Sequence, residues 1–282
     1  MFESVADMVF LGLARNCAPH IPQFEHFLDQ LSTRLDVTAV VGENGSTDGT
    51  AGLLTAARHI RRIDTTWMAK IQGRLERQAA GREALRQQAP RSEVVCVTDL
   101  DGPFFSQPVE QFLRVVGRLQ TEDVFAVAAS SRPYYYDLLA FGSDDFSFLD
   151  LDHRIRDTRN PFAYYRLFRD VVYPAQRALT ADVDIRCTSA FNGMAVYRGP
   201  VYAKGTYVGA PRICEHVTFN RSLRDLTGQC MVVDADWLLP MPTEHGPKGL
   251  GGFVAQRLHK LPREMMRHKR SGAAVHSRLR GS

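Results

Sequence analysis

This sequence predicts an α/β fold, a mostly parallel central sheet flanked by helices, on three observations. Short β-branched, apolar runs recur at residues 8–14, 37–41, 94–98 and 124–129, too short for helices and continuous enough for strands covered on both faces. Segments with helical spacing separate them, the alternation that builds parallel sheets. Two of the runs end in small polar and acidic residues, Glu43-Asn44-Gly45-Ser46-Thr47-Asp48-Gly49-Thr50 and Asp99-Leu100-Asp101. An open α/β sheet places its ligand crevice at such ends, beyond the carboxyl termini of its strands.

Taken in order, residues 8–14 form the first strand and Arg15-Asn16-Cys17 the loop after it. Residues 21–35 carry helical spacing, with Phe24, Phe27, Leu28 and Leu31 on one side. A strand over 37–41 follows, then a helix over 50–59 with Ser46-Thr47-Asp48 as its capping segment. Residues 71–88 read as a long polar helix, 94–98 as a strand, 109–119 as a helix and 124–129 as a strand. From 130 to 179 the pattern loosens into aromatics interleaved with Asp and Arg, a composition that suits core packing or a pocket stacking sugar rings. Residues 186–197 and 207–219 supply further strand or loop material, and 243–252 are flexible by composition. The expected organisation is a nucleotide-binding half over 1–130, an acceptor-binding half over 131–242, and a C-terminal extension, a loop and basic tail, over 243–282.

Composition narrows the class. With 282 residues, 44% hydrophobic and 23% charged, the chain can bury one large core. No apolar run approaches the roughly 18 residues of a membrane span. The first seven residues lack the basic and apolar regions of a secretory signal. Five cysteines, odd in number and without a CxxC pair, fit a reduced cytoplasmic setting. Eight Lys or Arg residues against one Glu follow residue 252. Such a tail is commonly a frayed terminus, and it also suits peripheral contact with anionic membrane. A nucleic-acid partner is not expected.

The chemistry concentrates at the strand ends. Ala14, Arg15 and Asn16 end the first strand, where backbone and side chain can reach a base or ribose. In the second loop Glu43, Asn44, Ser46 and Asp48 offer N–H groups and carboxylates, with glycines that permit unusual dihedrals. Asp48 would hold a base N–H or cap the next helix. Asp99 and Asp101, at i and i+2 around Leu100, can present oxygens to one hard divalent cation that neutralises a diphosphate.

The Leu13-Ala14-Arg15-Asn16 start, the Glu43-to-Thr50 loop and the Asp99/Asp101 pair together resemble the GT-A glycosyltransferase fold. Four further segments resemble fungal capsule-associated α-mannosyltransferases and their bacterial relatives. They are Arg74-Leu75-Glu76 with Ala79 and Arg82-Glu83-Ala84-Leu85, Tyr135-Tyr136-Asp137, Phe191-Asn192-Gly193-Met194-Ala195-Val196-Tyr197, and Cys214-Glu215-His216. The resemblance runs in order over roughly residues 8–220, and Glu83 stands where the family often has Asn.

That resemblance implies a metal-dependent hexosyltransferase of Rossmann-like GT-A type, moving mannose from GDP-mannose to a glycan or glycoside with retention. It implies Arg82, Asp99 and Leu100 at the donor, and Mn2+ or Mg2+ held by Asp99, Asp101 and His216. Tyr136, Asn192 and Gly193 would face the acceptor. Where a catalytic base is needed, Glu215 is the first choice, with Asp184 and Asp137 behind it.

Three other readings compete. An inactive GT-A-like module would bind glycan or membrane without turnover. Val97-Thr98-Asp99-Leu100-Asp101-Gly102 also resembles the first motif of haloacid-dehalogenase-type phosphatases, with Asp144-Asp145 as a later metal pair. There Pro103 stands where Thr belongs, and no lysine lies between Asp101 and Asp144. A dinucleotide-binding dehydrogenase lacks its G-x-G-x-x-G.

Overall fold

The computed structural model describes residues 6–242, except 147, 159 and 181, and residue 251. The expected loop and tail over 243–282 therefore lie outside the described residues, save that one position.

Eight strands form one sheet in the order β3-β2-β1-β4-β7-β5-β8-β6. They are β1 (Ala6–Ala14), β2 (Val37–Glu43), β3 (Ile60–Asp64), β4 (Ser92–Asp99), β5 (Val124–Ser130), β6 (Ile185–Cys187), β7 (Met194–Arg198) and β8 (Cys230–Leu238). β1 pairs in parallel with β2 and β4, β2 with β3, and β5 with β8. β7 runs antiparallel between β4 and β5, and β6 antiparallel beside β8. Only β6 and β7 thus oppose the common direction, and the expectation of a mostly parallel α/β sheet flanked by helices is met.

Both faces are covered, so the central strands are apolar through their middles, at residues 8–11, 39–41, 94–97 and 124–129. On β1, Met8 and Phe10 enter one core while Val9 and Leu11 enter the other. The first face packs under α1 (Ile21–Ser32), α2 (Thr50–Ala56) and α4 (Val109–Thr121). Its centre is aromatic: Phe27 meets Phe112 edge-on at 5.4 Å, and Phe112 meets Trp237 at 6.0 Å. The second face carries α3 (Arg74–Gln88), the short α8 (Gly199–Tyr202) and α9 (Glu215–Thr227). There Tyr207 and Phe219 stack at 4.0 Å.

Several boundaries differ from expectation. The helix over 50–59 ends at Ala56, and residues 60–64 form the edge strand β3. The long helix begins at Arg74, after a 3-10 turn over Thr66–Lys70 and Gly73 at φ 87°. The loosened 130–179 region is helical, with α5 (Phe148–Asp157), α6 (Pro161–Leu167) and α7 (Tyr173–Ala178) around a satellite core of Leu138, Leu151, Leu167 and Val172. Residues 215–219, expected as strand or loop, open α9.

Candidate functional site

β1 lies between β2 and β4, so the chain leaves it toward one side for β2 and reaches β4 on the other. That is a topological switch point, where loops part and a crevice opens. The loops after β1, β2 and β4 therefore meet, and their hydrogen bonds show how.

The first two loops are stitched together. Asn44 N–H donates to Ala14 O (3.0 Å), Asn16 N–H to Ser46 Oγ (3.0 Å), and Thr47 N–H to Asn16 Oδ1 (2.8 Å). Asn16 sits at φ 56°, a region Asn tolerates better than most residues. Glu43, buried, accepts from Ser46 N–H, whereas Arg15 is exposed. Asp48 Oδ2 accepts from Ala18 N–H (3.1 Å), and its Oδ1 from Thr50 N–H (3.1 Å) and the Thr50 hydroxyl (2.6 Å). The Thr50 hydroxyl is the main reason the Asp48 carboxyl lies below its ordinary range. Asp48 thus builds the loop, and a nucleoside contact would use its remaining lone pairs. Gly49 is the N-cap of α2.

The β4 end carries the charge. Asp99 Oδ1 accepts from Arg82 Nη2 at 2.8 Å, and Arg82 Nε reaches Glu215 Oε1 at 3.4 Å. Arg82 is 4% exposed and Glu215 3%, so α3 and α9 lay an ion bridge across the second face. The Arg82 Cζ lies 5.1 Å from the Phe191 ring centre. Burial alone would lower the Arg82 pKa, but the Asp99 and Glu215 carboxylates more than offset it. Leu100 turns its side chain into the first core, against β1: a Cβ on Gly12 would come within 2.9 Å of it. It anchors the two aspartates between which it stands.

Asp99 is pushed up to about 7, by burial first and by Asp101, Asp137 and Glu215 against the pull of Arg82. Asp137 rises to about 6, by burial and then by Glu215. The nearby buried Cys17 thiol is pushed up to about 11, first by burial, with Asp101, Asp48 and Asp99 all acting on it. The sequence places Cys17 only in the loop after β1; the fold sets its thiol near all three aspartate charges.

Other expected site residues stand elsewhere in the chemistry. Asn192, fully buried at φ 54°, spends its Oδ1 on the N–H groups of Tyr136 (3.2 Å) and Asp137 (3.4 Å), and donates from Nδ2 to Ser131 Oγ (3.0 Å). It is a clamp, not a group facing an acceptor. Gly193, at φ 87°, accepts from Asp99 N–H at 2.9 Å, and a Cβ there would lie 2.5 Å from Tyr136 Oη. Tyr136 packs against the first core close to the acidic cluster: burial and then the Asp99, Asp137 and Asp101 charges push its phenol upward. Asp184 is withdrawn from the cluster, ion-paired with Arg118 at 2.7 Å and accepting from Ala235 N–H. Asp144 is exposed and paired with Arg224, so the phosphatase reading loses its second metal residue.

A divalent cation finds carboxylate donors at the end of β4. Asp101 is exposed and carries no hydrogen bond from another described residue, and Asp99 is a half-open carboxylate two positions away. Two carboxylates completed by phosphate oxygens and water suit Mg2+ or Mn2+. His216 does not join them, for among the described residues no three His, Cys, Asp or Glu side chains are gathered closely enough to hold a metal. Its ring stacks on Phe191 at 3.8 Å, 2% exposed; neither nitrogen has a hydrogen-bond partner among the described residues, and Nε2 lies 3.7 Å from Glu215 Oε1. Burial and the neighbouring Arg82 keep it neutral. The carboxylate pair fits the ion; the expected triad is not assembled.

No protein-family model matches the chain, and no curated protein matches it. Among solved structures it is similar to a mannosyltransferase from Pyrobaculum calidifontis in complex with GDP-Man and Mn2+. That similarity has TM-score 0.48 and 14% identity, over 94% of this chain and 65% of that one. For mannosyl-3-phosphoglycerate synthase from Rubrobacter xylanophilus the values are 0.48 and 15%, over 93% and 75%. For residues 1–349 of S. aureus TarS they are 0.47 and 10%, over 83% and 59%. The chain thus spans less than two thirds of the length of two of these three.

Proposed function

We propose that this protein is a GT-A-type glycosyltransferase that binds a nucleotide sugar in the β1/β4 crevice and transfers the sugar to an acceptor hydroxyl. One observation carries the reading: a buried guanidinium, Arg82, joins Asp99 at the switch-point strand to Glu215 on α9, with Asp101 open beside it. The loops after β1 and β2 would receive the nucleoside through Ala14, Arg15, Asn16, Glu43, Asn44 and Ser46. Asp99 and Asp101 would hold Mn2+ or Mg2+, which when bound supplies positive charge to the diphosphate as the anomeric bond breaks. Arg82, itself buried, would bring a positive charge to the same leaving group.

Asp137 is the better-placed base. Glu215 is tied to Arg82, whereas Asp137 has a raised proton affinity and makes no ion pair among the described residues. A retaining reaction would need no base on this side, because the leaving diphosphate can take the acceptor proton. The sequence resemblance favours that course, with mannose from GDP-mannose as donor and a glycan or glycoside as acceptor. The scattered cysteines, without a CxxC pair, favour a cytoplasmic setting; the basic tail would supply a peripheral membrane contact. Among the described residues no helix is long and apolar enough to cross a membrane.

A thermal-shift screen of UDP-, GDP- and dTDP-sugars with and without Mn2+ tests the proposal. Stabilisation that needs both nucleotide and cation, and is absent in Asp101→Ala, is expected. Nucleotide binding that ignores the cation and survives Asp101→Ala would remove the reading.

A further inference from the structure

Asp101, Asp137 and Glu215 all act on Asp99, and the buried Arg82 guanidinium pairs with both Asp99 and Glu215. Arg82 spends Nη2 on Asp99 and Nε on Glu215, but its Nη1 is buried with no acceptor among the described residues. A buried N–H without a partner is costly and uncommon. Here it belongs to a cation whose planar fork matches an oxyanion. The Asp99 oxygen that Arg82 occupies sits on one of the two carboxylates suited to a divalent ion. Two cations cannot share that carboxylate without repulsion.

Resting on the glycosyltransferase reading, we infer that Arg82 is a resident counter-ion: it competes with the divalent cation for Asp99, and once displaced turns its fork to the diphosphate. Arg82 therefore weakens cation binding and strengthens nucleotide binding at the same site. The cation-free protein keeps its carboxylates neutralised, and the guanidinium is released only when another positive charge has arrived. Glu215 retains the Nε edge during the exchange and keeps the arginine over Phe191.

Calorimetric titration of the whole protein with Mn2+ alone, then with GDP or UDP at saturating Mn2+, separates these effects. Arg82→Gln is expected to bind Mn2+ at least fivefold more tightly than wild type, and the nucleoside diphosphate at least fivefold more weakly. Mn2+ affinity that is unchanged or weaker in Arg82→Gln overturns the inference. Should that variant not fold, Arg82→Lys, whose point charge cannot span both carboxylates, is expected to shift both affinities in the same directions. Wild type gives an independent readout: the Arg82 Nη–H resonances should move on titration with diamagnetic Mg2+ as Nη2 leaves Asp99, and Nη resonances unmoved at saturation overturn the exchange. Wild type that binds neither Mn2+ nor a nucleoside diphosphate would overturn the functional reading as well. Binding of both, with Mn2+ held no more tightly by Arg82→Gln, would sink the exchange alone.

Discussion

Asn192 holds the backbone of Asp137: its side-chain oxygen accepts the Asp137 N–H at 3.4 Å and that of Tyr136 at 3.2 Å. The next residue, Gly193, accepts the N–H of Asp99. Two consecutive residues therefore fix both walls of the carboxylate cluster, one through a side chain and one through a carbonyl. The clamp is placed by β7, which begins at Met194 and runs antiparallel between β4 and β5.

Removing the clamp should be costly. In Asn192→Ala two N–H groups lose their acceptor in a buried setting, and Ala would have to keep φ 54°. A loss of about 2–4 kcal/mol is expected, read by urea denaturation. A loss below about 0.5 kcal/mol would show that water or rearrangement replaces Asn192, and that it clamps nothing.

Gly193→Ala should separate crowding from backbone strain when set beside Gly49→Ala. Both glycines have positive φ, 87° and 91°, but an added Cβ at Gly193 meets Tyr136 and Phe104 whereas at Gly49 it meets nothing within 4 Å. Gly49→Ala should cost about 1 kcal/mol, the strain alone. Gly193→Ala should cost at least about 1 kcal/mol more and weaken Mn2+ binding, because Asp99 hangs from the Gly193 carbonyl. Equal costs at the two positions would remove the steric argument.

These residues show where the sequence was readable. β1, β2, β4 and β5 are buried on both faces, and their unbroken apolar runs announce it. β3 was missed because an edge strand is free to carry charge: Arg61, Arg62 and Asp64 stand among its five residues. β8 was missed because Asp234 and Asp236 interrupt it. Asp234 is tolerated, 1% exposed, only because Arg114 and Arg118 reach it from α4, more than a hundred residues away in sequence. α9 buries Glu215, His216 and Asn220, so its polar residues lie on the inner face and its amphipathic pattern is blurred. The acidic residues at the strand ends were legible as chemistry-bearing groups. The division between groups that face the crevice and groups that build it was not, since that depends on partners such as Ser131 and Phe104 brought in by the fold.

The cluster should make the cation-free protein sensitive to pH. Asp99 and Asp137 bind protons more tightly folded than unfolded, with values near about 7 and about 6 against 3.8. Their contribution to stability is therefore full below the unfolded value and is lost as pH rises through 6 and 7. Asp137→Asn removes one such group. Its stability relative to wild type should grow by about 1 kcal/mol between pH 5 and pH 8. Saturating Mn2+ should shrink that difference. A difference between the two proteins that is flat across this range would mean that Asp137 is not proton-bound in the fold.

Asp184 provides the control at the far side of the sheet. Arg118 donates to Asp184 (2.7 Å), Asp234 (2.7 Å) and Glu122 (2.6 Å), tying α4 to β8 and to the residue before β6. Asp234 in turn accepts from the N–H groups of Asp236 and Trp237, which sets the turn of chain that carries Trp237 into the aromatic core. Arg118→Met leaves the buried Asp234 with Arg114 alone and should cost about 3 kcal/mol. Asp184→Asn keeps an oxygen for Ala235 N–H and loses one partly exposed ion pair, so about 1 kcal/mol or less is expected. Neither change touches the crevice, and donor turnover at a temperature where both remain folded should stay within about twofold of wild type. Turnover lost in Asp184→Asn at unchanged stability would bring Asp184 back into the chemistry, and with it the acceptor side of the site would have to be redrawn around β6.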